Sequence, residues 1–166
     1  MQKRMWGGVA LFGLVLLFSE VALNAEDKKD DKGKKEVAFP ELPKGAGKID
    51  KDAPKTFTAT ESGLKYRILR KGDGKPPKAT ETVEVNYHGW LDNGKVFDSS
   101  YKRKESISFP LNRVIKGWTE GMQLVGPGGM IELEIPSELG YGDRGAPPDI
   151  GPKATLHFLV ELIDIK

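Results

Sequence analysis

From about residue 60 to its end, the chain alternates between apolar and polar residues in several short stretches. Alternation with a period of two is typical of a β-strand that buries one face and exposes the other. The apolar positions are Leu64, Tyr66 and Ile68; then Val83, Val85 and Tyr87; then Ile131, Leu133 and Ile135; and finally Leu156, Phe158, Val160 and Leu162. These stretches predict strands, with residues such as Lys65 and Arg67 on the polar face of the first one.

A tight turn follows the second of these strands. Asn93 and Gly94 lie between "ETVEVNYHGWL" and "KVFDSS", and Asn-Gly is a strong signal for a two-residue β-hairpin. The segment "KVFDSS" is therefore predicted to return beside its neighbour, which brings the sheet to about five strands.

The segment "RVIKGWTEGMQL", residues 113–124, is the helical candidate of the chain. One short helix cannot cover both faces of a sheet, so the predicted fold class is α+β, a curved antiparallel β-sheet of about five strands wrapped around one short α-helix. Val114, Ile115 and Trp118 lie in this segment, close in sequence to Phe109. They fit either a plain hydrophobic core or the floor of an apolar pocket.

Residues 1–25 have the pattern of a secretory signal peptide. Lys3 and Arg4 precede an apolar run at residues 6–18, and small residues lead up to Ala25. The run is shorter than the roughly 20 apolar residues that span a membrane, and Glu20 follows it closely. We expect cleavage after Ala25 and export to the periplasm or the exterior, with an uncleaved anchor as the alternative.

Residues 26–58 are predicted to form a disordered linker, and residues 59–166 the folded domain. The linker begins with "EDKKDDKGKKE", which is almost entirely charged and cannot bury a core. The rest of the linker contains several Pro and Gly residues and shows no hydrophobic period. Spacing, solubility and partner binding all stay open as its role.

Composition excludes several kinds of chemistry. A net charge of +2 on 166 residues gives no electrostatic basis for nucleic-acid binding. The absence of cysteine excludes disulfides and thiolate chemistry, and the two histidines, His88 and His157, lack metal-ligand spacing. We therefore expect no metal and no cofactor, so that any catalysis proceeds without a covalent intermediate.

Four motifs follow one another in the order and spacing of a known family. They are "VEVNYHGWLDNGKVFDSS", "FPLNRVIKGWTEGMQL", "PSELGYG" and "ATLHFLVELIDI", and they lie within residues 62–166. Each motif alone has modest specificity, but together they resemble the FKBP-type peptidyl-prolyl cis-trans isomerases. The resemblance implies the fold predicted above and a pocket that holds a proline ring.

The resemblance also implies the residues of that pocket. It places Trp118 at the floor, Asp98 and Tyr141 as polar groups at the rim, and the backbone N–H of Ile115 toward the ligand. The implied walls are Tyr87, Phe97, Phe109, Val114, Ile115 and Phe158, and the loop "DRGAPPDIGPK" would cover the substrate through Ala146 and Ile150. Arg103, five residues after Asp98, would orient the carboxylate.

Two features depart from the commoner family pattern. Ile107 stands where an aromatic wall residue is usual, and the segment 109–114 is two residues shorter than in well-known cytoplasmic members. Both bear on the affinity for macrolides and on the residue that is preferred before proline.

The function implied by the resemblance is isomerisation of peptidyl-prolyl bonds, and the signal-peptide pattern adds the expectation that it assists the folding of exported proteins. The implied partners are proline-containing polypeptides and macrolide ligands. We expect a monomer that binds no nucleic acid and is not stably inserted in a membrane. A non-catalytic chaperone or proline-segment-binding module is the alternative, and a purely structural domain is a third interpretation. Asp98 and Tyr141 at the rim favour the isomerase.

Overall fold

The computed structural model describes residues 35–166. The strands are β1 (Thr58–Ala59), β2 (Lys65–Arg70), β3 (Thr82–Leu91), β4 (Val96–Ser99), β5 (Ile107–Pro110), β6 (Met130–Ile135) and β7 (Leu156–Ile165), and the α-helices of this part of the chain are α1 (Ser100–Arg103) and α2 (Lys116–Gly121). The predicted signal peptide and the first residues of the predicted linker lie outside the described residues.

The strands form one antiparallel sheet in the order β1-β2-β6-β7-β3-β4, and β5 also pairs with β3. On the side away from β7, the first half of β3 pairs with β5 and its second half pairs with β4. Both β4 and β5 supply residues that line the pocket described below. The predicted α+β fold class is confirmed. Residues 35–166 contain seven strands in the sheet, more than the predicted number, because β1 and β5 are too short for alternation to be visible.

The helix α2 packs closely against one face of the sheet, which we call the inner face. A Cβ atom at Gly117 would lie 2.5 Å from Ile135, and one at Gly121 would lie 2.7 Å from Leu133. These glycines therefore let the helix backbone approach β6. The helix is shorter than predicted at both ends, because a 3-10 turn, Leu111–Arg113, precedes it and its last predicted residues form another, Met122–Leu124. Among residues 35–166, no helix is both long enough and apolar enough to cross a membrane.

Apolar side chains fill the space between α2 and the inner face. The fully buried members include Leu64, Val83, Val85, Leu111, Met122, Ile131, Leu133, Ile135, Leu156 and Val160. The alternation seen in β3, β6 and β7 has thus placed its apolar residues on one face, as expected of strands. Tyr66 and Ile68 of β2 are only partly buried against this core.

The outer face of the sheet is covered by residues 37–57, which we call the strap. Phe39, Leu42, Ala46 and Ile49 of the strap pack against the buried side chains of Leu69, Met130 and Leu159. The prediction of disorder up to residue 58 is therefore wrong for this part of the chain. A hydrophobic period is absent because the strap follows the sheet surface as an irregular segment, with apolar residues wherever it meets the sheet.

Arg67 fastens the strap to β2. Its side chain is 1% exposed and donates to the Glu132 carboxylate at 2.7 Å and to the carbonyls of Val37 and Ala38, each at 2.7 Å. Its guanidinium also lies over the rings of Phe39 and Phe57, 4.9 Å and 4.6 Å from their centroids. The predicted solvent-facing position of Arg67 is wrong, because the strap covers that face of the strand.

Candidate active site

An apolar pocket of about 650 Å³ opens beside α2 on the inner side of the domain. All ten residues predicted for the site line it: Tyr87, Phe97, Asp98, Phe109, Val114, Ile115, Trp118, Tyr141, Ile150 and Phe158. They come from β3, β4, β5, the residues just before α2, α2 itself, the loop that begins at Tyr141 and β7. The fold thus brings together residues far apart in sequence.

Trp118 lies at the bottom of the pocket and is 5% exposed. Its ring meets Tyr87 and Phe158 nearly edge-to-face, with centroids 5.4 Å and 5.1 Å away, and Phe109 at 5.3 Å. Such arrangements contribute about 0.5–1.5 kcal/mol each beyond area burial. The indole N–H is buried without a hydrogen-bond partner in the described part of the chain. The ring is therefore held by its aromatic neighbours rather than by a hydrogen bond.

A glycine in β3 makes room for the aromatic wall. A Cβ atom at Gly89 would lie 2.7 Å from Phe97 and 2.8 Å from Phe158, and the rings of these two residues pack at 86° with centroids 5.4 Å apart. Sequence reasoning did not assign Gly89 to the site. The signal was available, since a glycine within a predicted strand often marks a close approach.

The polar side of the pocket is a network of Tyr87, Asp98 and Arg103, which we call the rim network. The Tyr87 hydroxyl and one Arg103 nitrogen both donate to the Asp98 carboxylate. A second Arg103 nitrogen donates to the Tyr87 hydroxyl oxygen at 2.9 Å, and the backbone N–H of Ser99 donates to Asp98 at 2.7 Å. The guanidinium therefore bridges both partners, and the carboxylate has a fixed orientation.

The rim network determines which groups are charged. Burial alone would raise the pKa of Asp98, but hydrogen bonds from Tyr87, Arg103 and the Ser99 N–H outweigh it, so this pKa lies below its usual value. Burial, followed by the hydrogen bond to Asp98, raises the pKa of Tyr87. Near neutral pH, Asp98 is therefore an anion and Tyr87 a neutral donor.

The network depends on the chain reversal at α1. Asp98 lies near the end of β4, and the single turn of α1 brings Arg103 back toward it, five residues further on. Ser100, the first residue of α1, is fully buried and accepts the backbone N–H of Tyr87 at 2.8 Å. The turn is thus tied to the same strand that supplies Tyr87.

A closed loop forms the opposite side of the pocket. Ala146 and Ile150 pair through two backbone hydrogen bonds, of 2.9 Å and 3.0 Å, and Ile150 is buried while Tyr141 is 42% exposed. Lys95 in the hairpin contacts Asp149 of the loop at 3.0 Å. Ile107 of β5, 40% exposed, also lines the pocket. The loop is therefore closed on itself and contacts the hairpin through one exposed ion pair, while Tyr141 lies exposed before the closed part.

No cluster of three or more potential metal ligands occurs within residues 35–166. His88 contacts Ser99 at 3.1 Å, whereas His157 contacts Asp92 at 2.7 Å. Each histidine is thus engaged with a different neighbour, outside the pocket.

Residues 73–163 match the family model described as FKBP-type peptidyl-prolyl cis-trans isomerase. The chain belongs to this family. A probable FKBP-type isomerase of Haemophilus influenzae is 52% identical over 111 residues, which are 67% of this chain and 46% of that protein. FkpA of Escherichia coli, named as an FKBP-type isomerase, is 49% identical over 112 residues, 68% of this chain and 41% of that one. The chain thus matches less than half the length of these FKBP relatives.

Solved FKBP structures give the same result for the fold. The crystal structure of FkpA from Escherichia coli superposes with a TM-score of 0.64 at 49% identity, covering 66% of this chain and 51% of the other. The crystal structure of AtFKBP13 gives a TM-score of 0.61 at 36% identity, covering 66% of this chain and 98% of the other. The family resemblance drawn from the four motifs is confirmed.

Proposed function

We propose that this chain is a peptidyl-prolyl cis-trans isomerase acting on exported polypeptides. The observation that carries the proposal is the pocket itself: aromatic rings around Trp118, with an ionised Asp98 fixed at the rim by Tyr87 and Arg103. Membership of the FKBP family supports the same function. A plain hydrophobic core would require neither the open cavity nor an oriented carboxylate beside it.

The chemistry to be accelerated is rotation about one bond, the amide C–N bond that precedes proline. Rotation about a peptide bond has a barrier of about 18–20 kcal/mol, which arises from loss of amide resonance, and bonds before proline populate both isomers. The planar amide has more charge separation than the twisted amide. An apolar pocket therefore disfavours the planar states relative to the twisted state, and binding the twisted state most tightly is sufficient for catalysis.

Each site residue has a role in this scheme. The proline ring lies on Trp118 between the rings of Phe97, Phe109 and Phe158, with Val114, Ile150 and the Tyr87 ring completing the walls. Asp98 faces the carbonyl that precedes proline. The Ile115 N–H and the Tyr141 hydroxyl hold the chain on either side.

No proton transfer to the protein is needed in this scheme. A thousandfold acceleration corresponds to about 4 kcal/mol. Shape and desolvation supply most of it, because the walls are apolar and only the rim carries charge. The electrostatic part is the smaller share, and it depends on Asp98 remaining ionised.

The decisive experiment is a protease-free isomerisation assay. The chain starting at residue 26 is added to a short peptide with Leu or Phe before proline, and cis-to-trans exchange is followed with and without rapamycin. We expect acceleration that rapamycin suppresses, since a macrolide would compete for the same apolar pocket. No acceleration at micromolar protein would contradict the isomerase and leave a proline-segment-binding module.

Export is tested separately, by N-terminal sequencing of the protein from its source. We expect the mature chain to begin at Glu26 in a fraction outside the cytoplasm, because the signal-peptide pattern ends at Ala25. A chain that begins at Met1 and is extracted only with detergent would contradict cleavage and indicate a retained anchor.

A further inference from the structure

The strap is fastened to the sheet a second time, at Glu161 of β7. This carboxylate is 8% exposed and accepts the backbone N–H of Gly47 at 2.6 Å. It also contacts Arg70 at 3.2 Å, and the same Arg70 nitrogen donates to the Lys48 carbonyl at 3.2 Å. A partly buried ion pair between β2 and β7 thus contacts two successive residues of the strap.

Gly47 has no space for a side chain at this point. A Cβ atom there would lie 2.0 Å from an Arg70 guanidinium nitrogen and 2.8 Å from the Glu161 carboxylate. Any substitution at Gly47 must therefore displace either the strap or the ion pair, which makes this glycine a sensitive place to loosen the strap.

Tyr101 connects α1 to the strap. Its ring lines a cleft of about 740 Å³, whose other wall is formed by residues 41–45 of the strap, and a Cβ at Gly45 would lie 3.9 Å from the ring. The Tyr101 hydroxyl is fully buried and has no hydrogen-bond partner of acceptable geometry within residues 35–166. Burial, followed by the charge of the neighbouring Glu161, raises the pKa of Tyr101. The ring thus reaches from α1 to the carboxylate that binds the strap.

The residues that follow Tyr101 at the C-terminal end of α1 are exposed. Ser100 is tied to β3 through Tyr87, but Lys102 and Lys104 are exposed, and Lys104 adopts a left-handed conformation with φ of 58°. Arg103 lies between them with 47% of its side chain exposed. An exposed ion pair contributes only about 0–1 kcal/mol, so the pair with Asp98 cannot itself hold the helix in place.

We propose that Tyr101 is a positioning residue of the active site, and that the strap, by holding Tyr101, keeps Arg103 on Asp98 and Tyr87. The strap is then a functional part of the isomerase domain, and not only a linker between this domain and the residues before it. The proposal rests on the isomerase function proposed above for its kinetic consequence, but its structural consequence at Asp98 can be measured without any activity.

The test loosens the strap far from the pocket. Gly47→Ala is compared with Lys48→Ala, which removes an exposed side chain but retains the carbonyl that accepts from Arg70. In Gly47→Ala we expect faster hydrogen exchange at the Asp50 N–H, which bonds to the Leu69 carbonyl at 2.8 Å. We also expect kcat/KM to fall about threefold to tenfold and the pKa of Asp98, measured by carbon NMR, to rise. Lys48→Ala should match the unmodified chain in all three.

A double-mutant cycle shows whether the effect passes through Arg103. In an Arg103→Leu background, Gly47→Ala should cause no further loss of kcat/KM, since coupled residues are non-additive. Additive losses would show general destabilisation and overturn the proposal. The proposal is also overturned if hydrogen exchange at the Asp50 N–H becomes faster while the pKa of Asp98 and kcat/KM both stay unchanged.

Tyr101 variants decide the matter if Gly47→Ala fails to fold or leaves the strap intact. Tyr101→Ala should raise the pKa of Asp98 and lower kcat/KM, and Tyr101→Phe should restore most of both because it keeps the ring and loses a hydroxyl without a partner. A folded Tyr101→Ala with an unchanged Asp98 pKa overturns the proposal. If the unmodified chain is inactive, the isomerase function fails, but the Asp98 pKa still tests the role of Tyr101.

Discussion

The Tyr87 hydroxyl on β3 donates a hydrogen bond to the Asp98 carboxylate on β4. Sequence reasoning assigned Tyr87 to the apolar wall, whereas the structure gives it a second contact. Its ring packs against Trp118 while its hydroxyl binds Asp98 and accepts from Arg103. One side chain therefore joins the apolar and the charged parts of the pocket. Removal of the hydroxyl oxygen alone would break the contact with the charged part and keep the packing of the ring.

Tyr87→Phe removes that atom and keeps the ring. We expect kcat/KM to fall about threefold to tenfold, because Asp98 loses one of the three donors that fix its orientation. The free energy of unfolding should change by about 1 kcal/mol or less. The checks are the isomerisation assay and urea unfolding on the same preparation. An unaltered kcat/KM would show that orientation of the carboxylate is irrelevant to turnover.

Ionisation of Asp98 predicts a flat pH profile. Burial raises the pKa of this carboxyl, but hydrogen bonds from Tyr87, Arg103 and the Ser99 N–H lower it below the usual value. The group therefore stays charged throughout the ordinary assay range, and kcat/KM should be constant between about pH 5 and about pH 8. A loss of activity centred within that range, in a protein that stays folded, would contradict an ionised Asp98 as the working form.

The buried pair of Arg67 and Glu132 predicts a large loss of stability. Burial raises the pKa of Glu132 although Arg67 opposes it, so removal of the guanidinium leaves a carboxylate without compensation. Arg67→Met should cost about 3–5 kcal/mol of unfolding free energy in urea. The matched control is Lys65→Met on the same strand, whose more exposed pair with Glu134 should be worth about 0–1 kcal/mol. Equal losses in the two variants would contradict the role given to Arg67.

His88 predicts a dependence of stability on pH. Burial, followed by the charge of Lys102, lowers the pKa of His88 in the folded chain, while in the unfolded chain it returns to about 6.5. Between those two values the unfolded chain binds more protons, so stability is complete above about pH 6.5 and decreases as the pH falls through the folded pKa. His88→Asn should reduce this slope in urea unfolding at a series of pH values. An identical slope in both chains would refute the assignment.

Much of the fold and the pocket could be predicted from the sequence, for a physical reason. Strands such as β3 and β6 bury one face against α2, and a half-buried strand has to alternate. The pocket residues lie in motifs of fixed spacing, so family resemblance located Trp118 and Asp98 together. Such signals are strong wherever regular structure sets the period.

The parts that sequence reasoning missed lack a period. The strap touches the sheet through isolated residues such as Phe39, and several of its hydrogen bonds are made with Arg67 and Glu161, which look like surface charges in the sequence. A side chain at residue 47 is excluded by the guanidinium of Arg70, a residue of β2 that is distant in sequence. Contacts of this kind are set by the tertiary fold, so no local pattern could have shown them.

The central claim is that an apolar pocket catalyses isomerisation with an electrostatic contribution from Asp98 of the rim network. Its most direct test is to measure kcat/KM of Asp98→Val in the protease-free assay. Asp98 is 42% exposed on its side chain, so its loss should leave the unfolding midpoint nearly unchanged. We predict a folded protein with kcat/KM reduced about 3- to 30-fold, or roughly 1–2 kcal/mol, since shape and desolvation contribute the larger share. A folded variant with full activity would contradict the electrostatic role of the rim, and a variant that unfolds would show that Asp98 is a structural residue instead.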